Sequence, residues 1–146
     1  MAVHILAVLA HKDGDRVSST LLAASVNTNP VVIRRLLLAL KEARLIETRK
    51  GAGVGSRLSR SAARIDLAQV FRAVECEEFF VMPRRKPNRA CAVGQGIREA
   101  LEQVCGSARQ ALERDLARTT VAGILATLES SRAGNARKAG LSLANI

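Results

Sequence analysis

The stretch from Asn29 to Arg60 constrains the chain most, because its apolar residues change period partway along. From Pro30 onward, Ile33, Leu36, Leu37 and Leu40 recur at steps of three and four, the spacing of one helix face. Asn29 offers a side-chain oxygen to the free amides of the first turn, and Pro30, which has no N–H, sits where none is needed. A helix over about residues 30–43 is expected, with Arg34, Arg35 and Lys41 on or near its open face. Leu45 to Arg49 then suits a short strand, the glycines of GAGVGS a tip with positive φ, and Arg57 to Ser61 the returning strand. A basic amphipathic helix running straight into a hairpin bracketed by cations leaves few folds open.

The flanking segments narrow the choice further. Met1 to Ala10 is almost wholly apolar and too rich in Ala and Leu to favour a strand, so it reads as a buried helix ending at the polar turn HKDGD. Ser18 or Ser19 starts a second, short helix to about Ser25, with Leu21, Leu22 and Val26 facing inward. Asp66 caps DLAQVFRAVE, whose Leu67, Val70, Phe71 and Val74 make one stripe. The expected fold is mainly α with a small β-hairpin wing. Three helices followed by a basic hairpin is the winged helix-turn-helix order, in which the second and third helices form the DNA-reading pair.

Beyond this domain, placed at 1–76, residues 77–92 carry two prolines and several cations without periodicity and read as an exposed connection. A helical pattern resumes over 93–130. Ile97, Leu101, Val104, Ala108, Leu112 and Leu116 follow a narrow stripe close to a seven-residue repeat, a seam that calls for a second copy of the chain. Residues 131–146 are rich in Ala, Gly, Ser and Arg and are expected to form a mobile tail.

Charge points to the partner. The 146 residues hold 23 Lys and Arg against 13 Asp and Glu, a net +10, and residues 1–60 hold ten of the cations with only four of the acids. A polyanion suits that excess. With no Trp or Tyr and only Phe71, Phe79 and Phe80, few rings are available to stack on unpaired bases, which favours duplex DNA over single strands or RNA. No apolar run approaches the roughly 18–20 residues of a membrane span. The N-terminal AVHILAVLA lacks a basic leader, so a cytoplasmic protein without membrane attachment is expected.

The segment NTNPVVIRRLLLALKEARLIETRKGAGVGSRLSR, then IDLAQVFRAVE, then CAVG before a long helical stretch, resembles the Rrf2 family of bacterial transcription regulators over about residues 1–130. The resemblance implies a homodimeric repressor of an inverted-repeat operator, and it places Arg34 where members carry a base-reading side chain. Independently, arginine's planar fork suits guanine O6 and N7 or a phosphate, and the first turns of a recognition helix are where base edges come within reach. The candidate contacts are Asn27, Thr28, Asn29, Val31, Arg34 and Arg35 at the start of that helix, with Arg49, Lys50 and Arg57 around the wing tip. Asn27, Thr28 and Asn29 suit capping and phosphate binding equally well.

In cluster-binding relatives, three cysteines crowd into the loop before the long helix. Here the order is Cys76-x14-Cys91-x13-Cys105, and only Cys91 falls in that loop, so no cofactor is expected. An iron–sulphur or metal redox sensor on the same fold is the alternative, with a nonspecific architectural DNA binder behind it. CxxC and HxxxH are absent, and His4 and His11 suit core packing and a surface turn. No catalytic constellation stands out, so an enzyme is not expected. Cys91 remains a candidate redox sensor, because it opens a helix and follows Arg84, Arg85, Lys86 and Arg89, all of which favour a thiolate.

Overall fold

The computed structural model describes residues 1–49, 51, 53–74, 85, 87, 88 and 90–138, the last five by backbone alone. Expectations for Lys50, Cys76 and residues 139–146 lie outside the described residues, as does most of the connection between 77 and 92.

The chain opens with α1 (Ala2–His11), α2 (Ser19–Val26) and α3 (Pro30–Glu42), each starting and stopping for local reasons. Ser18 Oγ accepts from the Leu21 N–H at 3.2 Å, and Asn29 Oδ1 from the Val31 N–H at 2.8 Å, so both caps expected from the sequence form. Between them Asn27 takes the left-handed conformation, φ 56°, that ends α2. Asparagine tolerates that region better than most residues. On α3, Ile33, Leu37 and Leu40 are buried and Leu36 half-buried. On α2 the expected inward face is corrected: Leu22 is fully buried, but Leu21 is 51% exposed, because eight residues present only one narrow side to the core.

The wing is an antiparallel pair, β1 (Ile46–Arg49) and β2 (Gly55–Leu58), in the register Ile46↔Leu58, Glu47↔Arg57, Thr48↔Ser56 and Arg49↔Gly55. The returning strand begins two residues earlier than Arg57 and stops before Ser61. Gly55 enters it at φ +148°, and an added Cβ there would come within 3.0 Å of the Arg16 Cβ and the Val17 oxygen. That close approach lets Val17 and Ser56 exchange two hydrogen bonds of 2.9 Å, fastening the wing to the α1–α2 connection.

A 3₁₀ turn (Ala62–Arg64) leads to α4 (Leu67–Val74), where Asp66 Oδ1 accepts from the Gln69 N–H at 2.8 Å. The single helix expected over 93–130 is instead two: α5 (Ala92–Leu116) and α6 (Val121–Lys138). Thr120 is the reason, since its Oγ1 accepts from the Gly123 N–H at 3.1 Å and starts a fresh helix. Helix α6 also runs on to Lys138, well into the expected tail. It turns back onto α1, and Val121 is fully buried with Ile5, Leu6, Leu9, Leu22, Ile33, Leu40, Leu45 and Ile65. The core of the N-terminal domain is therefore completed by a residue far beyond position 76. Two hydrogen bonds of 2.9 Å, Leu67 N–H to the Thr119 oxygen and Val121 N–H to the Ile65 oxygen, tie the α5–α6 turn to the start of α4.

Candidate nucleic-acid interface

With Ile33, Leu37 and Leu40 turned inward, helical geometry sends Val31, Arg34, Arg35 and Leu38 outward, and all four are exposed. Val31 is 57% exposed, an apolar side chain beside two guanidinium groups on the first turns of α3. The three residues ahead of them are more committed. Asn27 caps α2 through its backbone and Asn29 caps α3 through its side-chain oxygen, and the Thr28 N–H bonds the Ala23 oxygen at 3.0 Å, so these three residues are tied into the two helix ends.

The wing carries a feature the sequence did not suggest. Arg57, expected to contact DNA freely, is held by Glu47 directly across the strands, with Nε at 3.1 Å and Nη2 at 3.0 Å from Oε2. Arg16 approaches the same oxygen to 3.8 Å. The two-residue displacement of the returning strand hides this pair from a reading of the sequence alone. Arg49, at the end of β1, is exposed and has no carboxylate partner among the described residues. Gly51 and Gly53 at the tip both take positive φ, 81° and 74°.

A helix pair whose second member shows a basic face, followed by a two-stranded wing, defines a winged-helix DNA-binding protein. The family model Rrf2, described as an iron-dependent transcriptional regulator, matches residues 1–127. YwnA of Bacillus subtilis (strain 168), named as an HTH-type transcriptional regulator, is 36% identical over 125 residues, 86% of this chain and 92% of that protein. A crystal structure bearing the name of a DNA-binding protein superposes with a TM-score of 0.68 at 36% identity, over 85% of this chain and 95% of that one. IscR of T. potens shares the fold, with a TM-score of 0.61 at 21% identity over 89% and 84% of the two chains. The chain belongs to the Rrf2 family of transcriptional regulators, which are not enzymes.

The family's iron raises the question of ligands. Among the described residues no group of three or more His, Cys, Asp or Glu could hold a metal ion. Cys91 and Cys105 lie on one helix fourteen positions apart, about 21 Å at 1.5 Å per residue, too far to share a cluster or a disulfide within one chain. The described cysteines therefore do not fit a cluster seat. His4 is exposed rather than packed in the core, its Nε2 3.2 Å from Ser25 Oγ.

Cys91 is the exposed N-cap residue of α5. Its thiol makes no capping hydrogen bond, yet it faces the free N–H groups of Gly94 and Val93, which favour the thiolate and hold its pKa below the ordinary cysteine value. From there α5 runs for 25 residues without one buried side chain. Ile97, Leu101 and Val104 are 37%, 41% and 65% exposed, Ala108 is exposed, and Leu112 is half-buried near the point where α5 meets α4. There Glu113 receives Arg72 from α4 at 2.8 Å and Arg109 at 3.2 Å. Arg72 first, then Arg109, holds its carboxyl below the ordinary glutamate value.

Proposed function

We propose that this regulator is a cytoplasmic homodimer that binds an inverted-repeat operator in double-stranded DNA and represses transcription from it. The observation that carries the reading is the pairing of exposed cations on α3 with a long helix of which no side chain is buried among the described residues. An apolar stripe on such a helix is hidden at least cost by a second copy of itself. Two copies give two recognition helices related by a two-fold axis, which is the symmetry of an inverted repeat. Arg34 and Arg35 with Val31 are the readers; Asn27, Thr28, Asn29, Arg49, Lys50 and Arg57 position the backbone.

Selection of bound sequences from a random duplex pool should return such a repeat. On that site Arg34→Ala should cost about 1–3 kcal/mol and relax the preference at one position, whereas Arg49→Ala should weaken operator and random duplex alike. Equal losses on both DNAs for Arg34→Ala would remove it as a reader.

Thiol oxidation at Cys91 is proposed as the signal. An exposed thiol facing free helix amides is the more readily attacked by oxidants, and α5 joins the dimer seam to the reading heads. Diamide should then lower operator affinity in the wild type and leave Cys91→Ser unaffected. Equal responses would place the effector elsewhere.

A further inference from the structure

Four cations that come from separate parts of the chain line one concave cleft of about 490 Å³ beside the wing: Arg16 from the α1–α2 connection, Lys41 from the last turn of α3, Arg44 just beyond it, and Arg49 from β1. The hydroxyl-bearing Thr48 and Ser59 line it as well. We propose that this cleft seats a phosphate of the DNA backbone flanking the half-site, a contact that shares Arg49 with the wing and adds Arg16, Lys41 and Arg44 to those of the α3 face and the wing tip. The proposal rests on the DNA-binding reading above.

The first support is the charge balance. Glu47 is the one carboxylate lining the cleft, and it is committed to Arg57 at 3.0 Å, with Arg16 further off at 3.8 Å. Lys41, Arg44 and Arg49 have no carboxylate partner among the described residues. Like charges gathered in a concavity repel one another, and low-dielectric walls focus their potential on whatever anion enters. Guanidinium forks and the Thr48 hydroxyl are donors that match phosphate oxygens, while the Ser59 hydroxyl is already given to the Arg44 oxygen at 2.6 Å.

The second support is the backbone of Arg44. Its φ is +57°, and it follows the Ala43 C-cap of α3, where the Arg44 N–H bonds the Lys41 oxygen and the Leu45 N–H bonds the Leu40 oxygen, each at 2.9 Å. Glycine is the usual residue for that closure, because a Cβ is strained in the left-handed region. Only three non-glycine residues among those described have positive φ, and the others, Asp13 and Asn27, are types that tolerate it. An arginine has no conformational reason to be there. Ser59 Oγ, donating to the Arg44 oxygen at 2.6 Å, holds the strained residue in place with its side chain on the cleft.

The position of the cleft selects the DNA backbone over a soluble phosphate. Arg49 belongs both to the cleft and to the wing, so a duplex lying on the wing continues across the opening. Lys41 lies ten residues along α3 from Val31, about 15 Å by helical rise, which puts the cleft beyond the bases that the first turns of α3 reach.

Arg44→Gly separates these ideas, because it removes the charge while relieving the strain. Its Tm should not fall, yet its affinity should drop about tenfold on operator and random duplex alike, as expected for one charged hydrogen bond. The slope of log affinity against log salt should fall by about one. Lys41→Gln, which leaves the backbone alone, should show the same slope change with an unaltered Tm. Unchanged affinity and slope in both variants would overturn the cleft while leaving the operator reading standing, and a wild type that binds no duplex would overturn both. If inorganic pyrophosphate raises the Tm of the wild type but not of Arg44→Gly, and the two bind duplex equally, the seat is for a soluble phosphate and the DNA assignment is wrong.

Discussion

Helices α3 and α5 are both amphipathic, yet they stand in opposite relations to the rest of the chain. The thirteen residues of α3 bury Ile33, Leu37 and Leu40, and its exposed side carries Arg34, Arg35 and Lys41 beside Val31 and Leu38. The twenty-five residues of α5 bury none, and its exposed side carries Val93, Ile97, Leu101 and Val104. One helix buries its main apolar stripe and shows three cations; the other leaves its stripe unburied. Periodicity alone does not distinguish these cases, since both helices show the same kind of stripe. What distinguishes them is whether the described residues cover the stripe. Among the described residues α2, α4 and β1 pack against α3, whereas α5 meets the head at α4, where Glu113 pairs with Arg72.

The sharpest way to break this contrast is Leu101→Arg. If α5 is covered by a second copy, the variant should sediment as a monomer and lose about 10²- to 10⁴-fold in operator affinity, the gain that linking two half-site contacts provides. Its head should remain folded. A wild type that sediments as a monomer at tens of micromolar would refute the pairing.

Leu40→Ala tests the other helix. It should destabilise the head by about 2–5 kcal/mol through a cavity in the core, whatever the protein concentration. Leu101→Ala, by contrast, should lower Tm more at low concentration than at high, because its cost falls on association. If both losses are independent of concentration, the two helices do not differ in the way described.

The smallest effect concerns the junction of α5 with α4. Glu113 has its carboxyl held below the ordinary glutamate value by Arg72 and Arg109. A group depressed in this way stabilises the fold fully at pH above the ordinary glutamate range and loses its contribution as pH falls through that range toward its own lower value. Glu113→Gln should therefore lower Tm slightly at neutral pH and by progressively less in acid, followed by thermal melts across pH. A deficit that persists undiminished in acid would show that packing and not charge makes the junction.

How much of this could be read beforehand followed from the range of each signal. The caps Ser18, Asn29 and Asp66, the proline at the start of α3 and Gly51 and Gly53 of the wing tip act within a few residues, and each stood where the sequence placed it. The division of α5 from α6 did not show, because the apolar spacing continues past Leu116 and masks the weak capping signal of Thr119 and Thr120. Pairing across the wing was equally hidden. A returning strand begun at Arg57 leaves Glu47 opposite no cation, whereas the true register sets the two face to face. Arg16, Lys41, Arg44 and Arg49 are scattered along the chain, and the Val17–Ser56 bridge, distant in sequence, brings the first of them beside the others.

The burial of Val121 bears on how the protein is made. A head built from residues 1–74 alone could close while the ribosome was still translating the connection and the long helix. Here Ile65 and one side of α1 stay uncovered until the residues that open α6 have emerged. Contacts so distant along the chain form late, after the cost of closing a long loop has been met. By then all of α5 has been synthesised, so completion of the head core and exposure of the apolar stripe of α5 occupy the same interval of biogenesis.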